Sequence, residues 1–96
     1  MIKQKISRLV KENQKKLKDF KVQKMFLFGS VARGEETTSS DIDILIKFES
    51  TPTYDMYMDL KFFLEDLLDQ KVDLVTEEAL RPEIKKYVEK DLIRVA

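Results

Sequence analysis

The residues that could do chemistry gather in one stretch, "FLFGSVARGEETTSSDIDILI", residues 26–46. Gly29-Ser30 is followed, after ten residues, by Asp41-Ile42-Asp43, and the chain's two glycines, Gly29 and Gly34, both fall here. Glycine lets backbone amides approach an oxyanion. A hydroxyl such as Ser30 at a helix start adds to free N–H groups that already favour anions. Acids at i and i+2 of a strand point to the same face. Two carboxylates so placed repel each other unless a cation lies between them. With a third acid they could hold two Mg²⁺ ions about 3.5–4 Å apart, an arrangement suited to phosphoryl and nucleotidyl transfer. That acid should come from a neighbouring strand. Asp73 is the sole acid within "KVDLVT", residues 71–76, and between Val72 and Leu74 it would be expensive to bury unpaired.

A different phosphate motif is excluded. Gly29 to Gly34 has the G-x-x-x-x-G spacing of a P-loop, which needs Lys and then Ser or Thr next. Glu35 and Glu36 stand there instead and would repel a triphosphate. Taken singly, the remaining features are unremarkable: Gly-Ser is a turn, Asp-x-Asp a solvated strand end, Asp73 an edge acid. Their order is what points to chemistry.

The elements that must position these residues can be read from periodicity. Ile2, Ile6, Leu9, Val10, Leu17 and Phe20 predict an amphipathic helix over 2–20 with a lysine-rich outer face. "VQKMFLF", residues 22–28, predicts a buried strand, and "SVARGEE" a short helix opened by Ser30. Residues 37–40 are polar loop, and Ser40 would orient that loop ahead of Asp41. "IDILIKF", residues 42–48, is a second strand, with Ile42, Ile44, Ile46 and Phe48 on one face and Asp41, Asp43, Leu45 and Lys47 on the other. Thr51 should cap a helix over 53–69 with Pro52 in its first turn. A third strand over 71–76, helical segments around 76–79 and from Pro82 to about 90, and a short terminal strand in "LIRVA" complete the pattern. Alternating strands and helices imply an α/β or α+β domain around a small mixed sheet of three to four strands.

Composition limits the rest. Ninety-six residues, 43% hydrophobic and 38% charged, suit one globular domain over 1–96. There is no cysteine and no histidine, which removes disulfides, thiolate or imidazole metal sites and histidine base catalysis. Any metal must be a hard cation on oxygen, Mg²⁺ or Mn²⁺. No apolar run approaches a membrane span and the N-terminus lacks a signal-peptide core, so a cytoplasmic location is expected. Net charge is zero, yet residues 1–25 hold nine Lys/Arg against two acids and residues 35–70 ten acids against two lysines. The basic segment reads as the solvated face of a helix, and direct nucleic-acid binding is not expected.

"GSVARGEETTSSDIDILI" resembles the signature of the DNA polymerase β-like nucleotidyltransferase superfamily, and more closely that of the minimal nucleotidyltransferase (MNT) group, G-S-x-A-R-G-x-x-x-x-x-S-D-x-D-L. Ile44 in place of the usual Leu is the one departure. The resemblance implies a polymerase β-like palm in which Gly29 and Ser30 bind nucleotide phosphates. Asp41 and Asp43 would ligate the metals, and Asp73 would complete the triad and help activate the attacking hydroxyl. Arg33 could touch phosphate, but tying the short helix down through an acid is the favoured role. The resemblance further implies an antitoxin of the HEPN/MNT type, which transfers AMP from ATP to a tyrosine of an all-helical HEPN ribonuclease toxin within a hetero-oligomer. Two alternatives accompany it: a non-catalytic antitoxin that neutralises by contact, and a nucleotidyltransferase subunit acting on a small hydroxylated substrate.

Overall fold

A computed structural model describes residues 2–37, 39 and 41–96, without the side chains of Ile84 and Tyr87. Ser40, expected to orient the loop before Asp41, lies outside the described residues. The elements in chain order are α1 (Ile2–Glu12), α2 (Gln14–Asp19), β1 (Val22–Phe28), α3 (Gly29–Arg33), β2 (Ile42–Phe48), α4 (Tyr54–Leu68), β3 (Val72–Thr76), a 3₁₀ turn (Glu77–Ala79), α5 (Pro82–Lys90) and β4 (Ile93–Arg94). The sheet runs β3-β2-β1-β4, with β2 and β3 parallel and the other neighbours antiparallel.

The alternation in β2 organises the molecule. Ile42, Ile44 and Ile46 are fully buried, as are Met25 and Leu27 of β1. They form one core with Ile6 and Val10 of α1, Leu17 of α2, and Leu60 and Leu64 of α4. The opposite sheet face carries Phe26, Phe28, Asp43 and Lys47, all only partly buried. A bulge at Gln23 keeps the pattern in step. Val22 pairs with Phe48 while Lys24 pairs with Lys47, so the extra residue returns Val22 to the core side.

Several local expectations are corrected. The helix expected over 2–20 is broken at Asn13, whose amide donates to the Leu9 carbonyl at 2.8 Å. An Asn side chain that bonds the backbone competes with helix continuation. The α4 cap is Thr53, not Thr51: the Thr53 hydroxyl accepts from the Met56 N–H at 3.1 Å, which leaves Pro52 ahead of the helix. α4 then ends at Asp69, in the left-handed region at φ 53°, so the expected range 53–69 narrows to Tyr54–Leu68. The short helix starts at Gly29 and stops at Gly34, φ 74°, excluding Glu35 and Glu36. Among the described residues no helix is long and apolar enough to cross a membrane.

Candidate active site

Register brings the separated motif residues into one row. Phe28 at the end of β1 pairs with Asp43 of β2, and Asp43 pairs with Asp73 of β3. Gly29 follows Phe28 directly, so the Gly-Ser turn and two of the three acids share one end of the sheet. The antiparallel β1–β2 pair places the end of β1 beside the start of β2. The parallel β2–β3 pair, joined through α4, puts the start of β3 at that same end.

Gly29 is required here for two reasons. Its φ is +72°, a backbone region that L side chains rarely adopt. A Cβ at this position would also stand 2.2 Å from Asp43 Oδ2. The glycine thus makes room for the carboxylate as well as for the chain's turn into α3. Ser30, half-buried, follows in the first turn of α3, where its carbonyl accepts from the Glu35 N–H at 2.9 Å.

The acids are not equivalent. Asp41 is exposed and lies immediately ahead of β2, whose bounds are the expected 42–48. Asp73 is also exposed, on β3 at the edge of the sheet. The cost of burying Asp73 unpaired therefore does not arise, and the partial burial falls on Asp43. Burial pushes the Asp43 carboxyl above the ordinary carboxylate range, and the charges of Asp73 and Asp41 and a hydrogen bond with Asp73 push the same way. Arg33 opposes this weakly.

Neighbouring acid oxygens that disfavour the charged form of Asp43 fit a hard divalent cation, which would relieve the same repulsion. Among the described residues, however, no three acids stand close enough to enclose one ion. The Asp43–Asp73 pair is assembled, and Asp41 reaches it only through charge.

Arg33 points elsewhere. Its guanidinium binds Glu35 at 3.0 Å and Asp91 at 2.9 Å, and these two partners raise its pKa. Asp91 is the C-cap of α5, so the arginine ties α3 to the end of a distant helix. Sequence reasoning also missed Tyr57. Its hydroxyl donates to the Leu74 carbonyl, next to Asp73, and burial, then the Asp73 charge, holds its pKa up. With Glu65, whose carboxylate accepts from the Val72 N–H at 3.0 Å, it binds polar backbone groups of β3 from α4. The helical stripe of α4 gave no sign of this, because both residues sit beside its apolar positions.

The nucleotidyltransferase domain family matches residues 6–95. A Methanocaldococcus jannaschii protein, provisionally named a protein adenylyltransferase, is 47% identical over 92 residues, covering 94% of each chain. Protein adenylyltransferase MntA of Thermococcus cleftensis is 36% identical over 91 residues, covering 94% of this chain and 92% of that one. Among solved structures, a protein provisionally named a minimal nucleotidyltransferase superposes with TM-score 0.76 at 32% identity, covering 95% of this chain and 89% of that one. A chain of a toxin–antitoxin complex with AMP-PNP superposes with TM-score 0.71 at 28% identity, covering 97% and 71%.

Proposed function

The chain belongs to the nucleotidyltransferase domain family, and from that premise we propose that it is an Mg²⁺-dependent protein adenylyltransferase, the antitoxin of a two-protein module. It would transfer AMP from ATP to a tyrosine of a helical HEPN-type ribonuclease and so silence it, acting within a hetero-oligomer as one domain over residues 1–96. The observation that carries this reading is the row Phe28–Asp43–Asp73 with Gly29 against Asp43. The names of the relatives support protein adenylylation, and the AMP-PNP complex supports ATP as the donor and a toxin as the partner.

In this reaction the tyrosine oxygen attacks the α-phosphorus in line. The new O–P bond forms as the bond to the β-phosphate bridging oxygen breaks, and pyrophosphate leaves with that electron pair. Gly29 and Ser30 hold the phosphates, and the missing Gly29 side chain keeps that approach open. Asp73, exposed beside Asp43 in a chain without histidine, takes the tyrosine proton. Asp41, Asp43 and Asp73 would hold the Mg²⁺ ions, or Mn²⁺. Bound there, divalent ions supply charge that lowers the nucleophile's pKa and stabilises the leaving group. Arg33 serves the frame, through Glu35 and Asp91, not the phosphates.

The test is to incubate the protein with Mg²⁺, α-labelled ATP and the adjacently encoded helical protein. Label should appear on that protein and vanish with Asp41→Asn plus Asp43→Asn. If the double variant still neutralises its partner in full, neutralisation is by contact alone. Label found on a small hydroxylated acceptor instead would move the activity to another substrate class. Mg²⁺ should also raise thermal stability more in the wild type than in Asp73→Asn. Equal shifts would remove Asp73 from the metal-binding set.

A further inference from the structure

The site-bearing sheet face does not end at Asp43. Two residues along β2, about 7 Å away, Leu45 floors a hollow of about 120 Å³ between the sheet and α5. Among the described side chains, Phe26, Leu80, Val88 and Leu92 complete its apolar lining. A cavity of roughly 150 Å³ takes up benzene, so this space suits one ring or one branched aliphatic side chain.

Its far side carries charge in an unusual arrangement. Lys24 and Lys47 are Cα partners across β1 and β2, both half-buried, and both line the hollow. Like charges directly opposite each other on a sheet are destabilising. Neither lysine has an ion-pair partner among the described residues. Lys85 and Glu89 on α5 form an exposed pair 4.0 Å apart, and Glu77 is the further carboxylate among the described lining residues. Among the described lining residues three lysines face two glutamates, an excess of one positive charge. That excess would be relieved by an anion from outside.

We propose that this hollow is an acceptor-peptide subsite, which takes an apolar side chain of the target protein with an acidic residue beyond it on Lys24 and Lys47. The inference rests on the adenylyltransferase reading for the location of the reacting hydroxyl. With that hydroxyl beside Asp43 and Asp73, an extended segment along the sheet reaches Leu45 about two residues on and Lys47, about 14 Å from Asp43, about four residues on. The preferred acceptor is therefore a tyrosine with an apolar residue two to three positions away and a carboxylate about four away on the same side. The hollow selects by shape and the lysines by charge.

The experiment separates this from the catalytic reading. Fluorescein-labelled peptides with tyrosine, leucine two positions on and glutamate four positions on are titrated against the full chain without ATP or metal. Fluorescence polarisation should show binding at least tenfold tighter than for the same peptide with lysine in place of glutamate. Lys24→Glu/Lys47→Glu should invert that preference, and the milder Lys24→Gln/Lys47→Gln should erase it. Amide shifts on peptide binding should map to Phe26, Leu45 and Val88. Equal affinity for the two peptides, or shifts confined to other faces, would overturn the proposal. So would a double variant that loses ATP affinity while keeping the peptide preference, since the hollow would then serve the nucleotide. A wild type that discriminates peptides but never transfers AMP would sink the catalytic reading and leave the subsite standing.

Discussion

The two faces of the sheet are built from the same strands and obey opposite rules. On one, Ile42, Ile44, Ile46, Met25 and Leu27 have 0% exposure beneath α1 and α4. On the other, Asp43 and Lys47 sit half-covered, next to exposed Asp73. Adjacent residues of β2 thus serve stability and chemistry in turn, because a strand sends successive side chains to opposite sides. Burial of those core residues holds the strands in register beneath a face whose carboxylates repel.

That contrast should break most visibly in activity. Asp43→Asn is expected to lower AMP transfer by about 10³-fold or more, as loss of a residue in a concerted catalytic group does, in a single-turnover assay with labelled ATP. On the packed face, Ile44→Ala should leave nucleotide chemistry intact in whatever protein remains folded but cost about 2–5 kcal/mol in urea denaturation. If the two variants exchange these phenotypes, the division between faces is wrong.

Gly29→Ala joins the two faces' demands. Positive φ and a Cβ 2.2 Å from Asp43 Oδ2 should together cost about 1–3 kcal/mol. Adding Asp43→Ala should recover part of that loss, a coupling read from a double-mutant cycle. Strict additivity would show that the carboxylate and the glycine do not contend for space.

A smaller effect has the opposite sign from the first. Asp43→Asn should raise the melting temperature of the metal-free protein near neutral pH, by up to about 4 °C. The folded state raises the Asp43 pKa, so the native protein binds more protons than the unfolded chain between the two values. Wild-type stability therefore falls as pH rises through that window, and the substitution removes the fall. Below the unfolded carboxylate pKa both states are protonated and the advantage should vanish. Smallest of all, Arg33→Gln should lower the urea midpoint only slightly, because the guanidinium and Glu35 are well exposed. High salt should shrink the difference.

Much of this was legible from particular residues. The alternation in "IDILIKF" announced a strand with one buried face, and the run "VQKMFLF" its neighbour. The limits of α5 followed from Pro82, whose fixed φ suits a first helical position. Caps and breaks were less legible, for a physical reason. Thr51 and Thr53 are both competent caps by type, and only the hydroxyl that meets a free N–H three residues on decides between them. Asn13 likewise reads as an ordinary polar position until its amide is seen to bond the Leu9 carbonyl. The role of Arg33 was open between phosphate and acid. Its bond to Asp91 was out of reach of local reading, since that residue lies 58 positions away in the chain.

By itself the sequence determined the inventory of chemistry: oxygen ligands only, a Gly-Ser turn, acids on strands, and a lysine-rich first helix. Those follow from residue types and local periodicity, which need no partner to act. The tertiary structure alone decided which acids meet and which one bears the burial. Register set Asp43 beside Asp73 and against Gly29, while Asp41 fell outside the strand. Pairing across strands is a non-local event governed by turns, the bulge at Gln23 and the packing of the isoleucines beneath. No spacing along the chain encodes how deeply a carboxylate will sit once those distant contacts form.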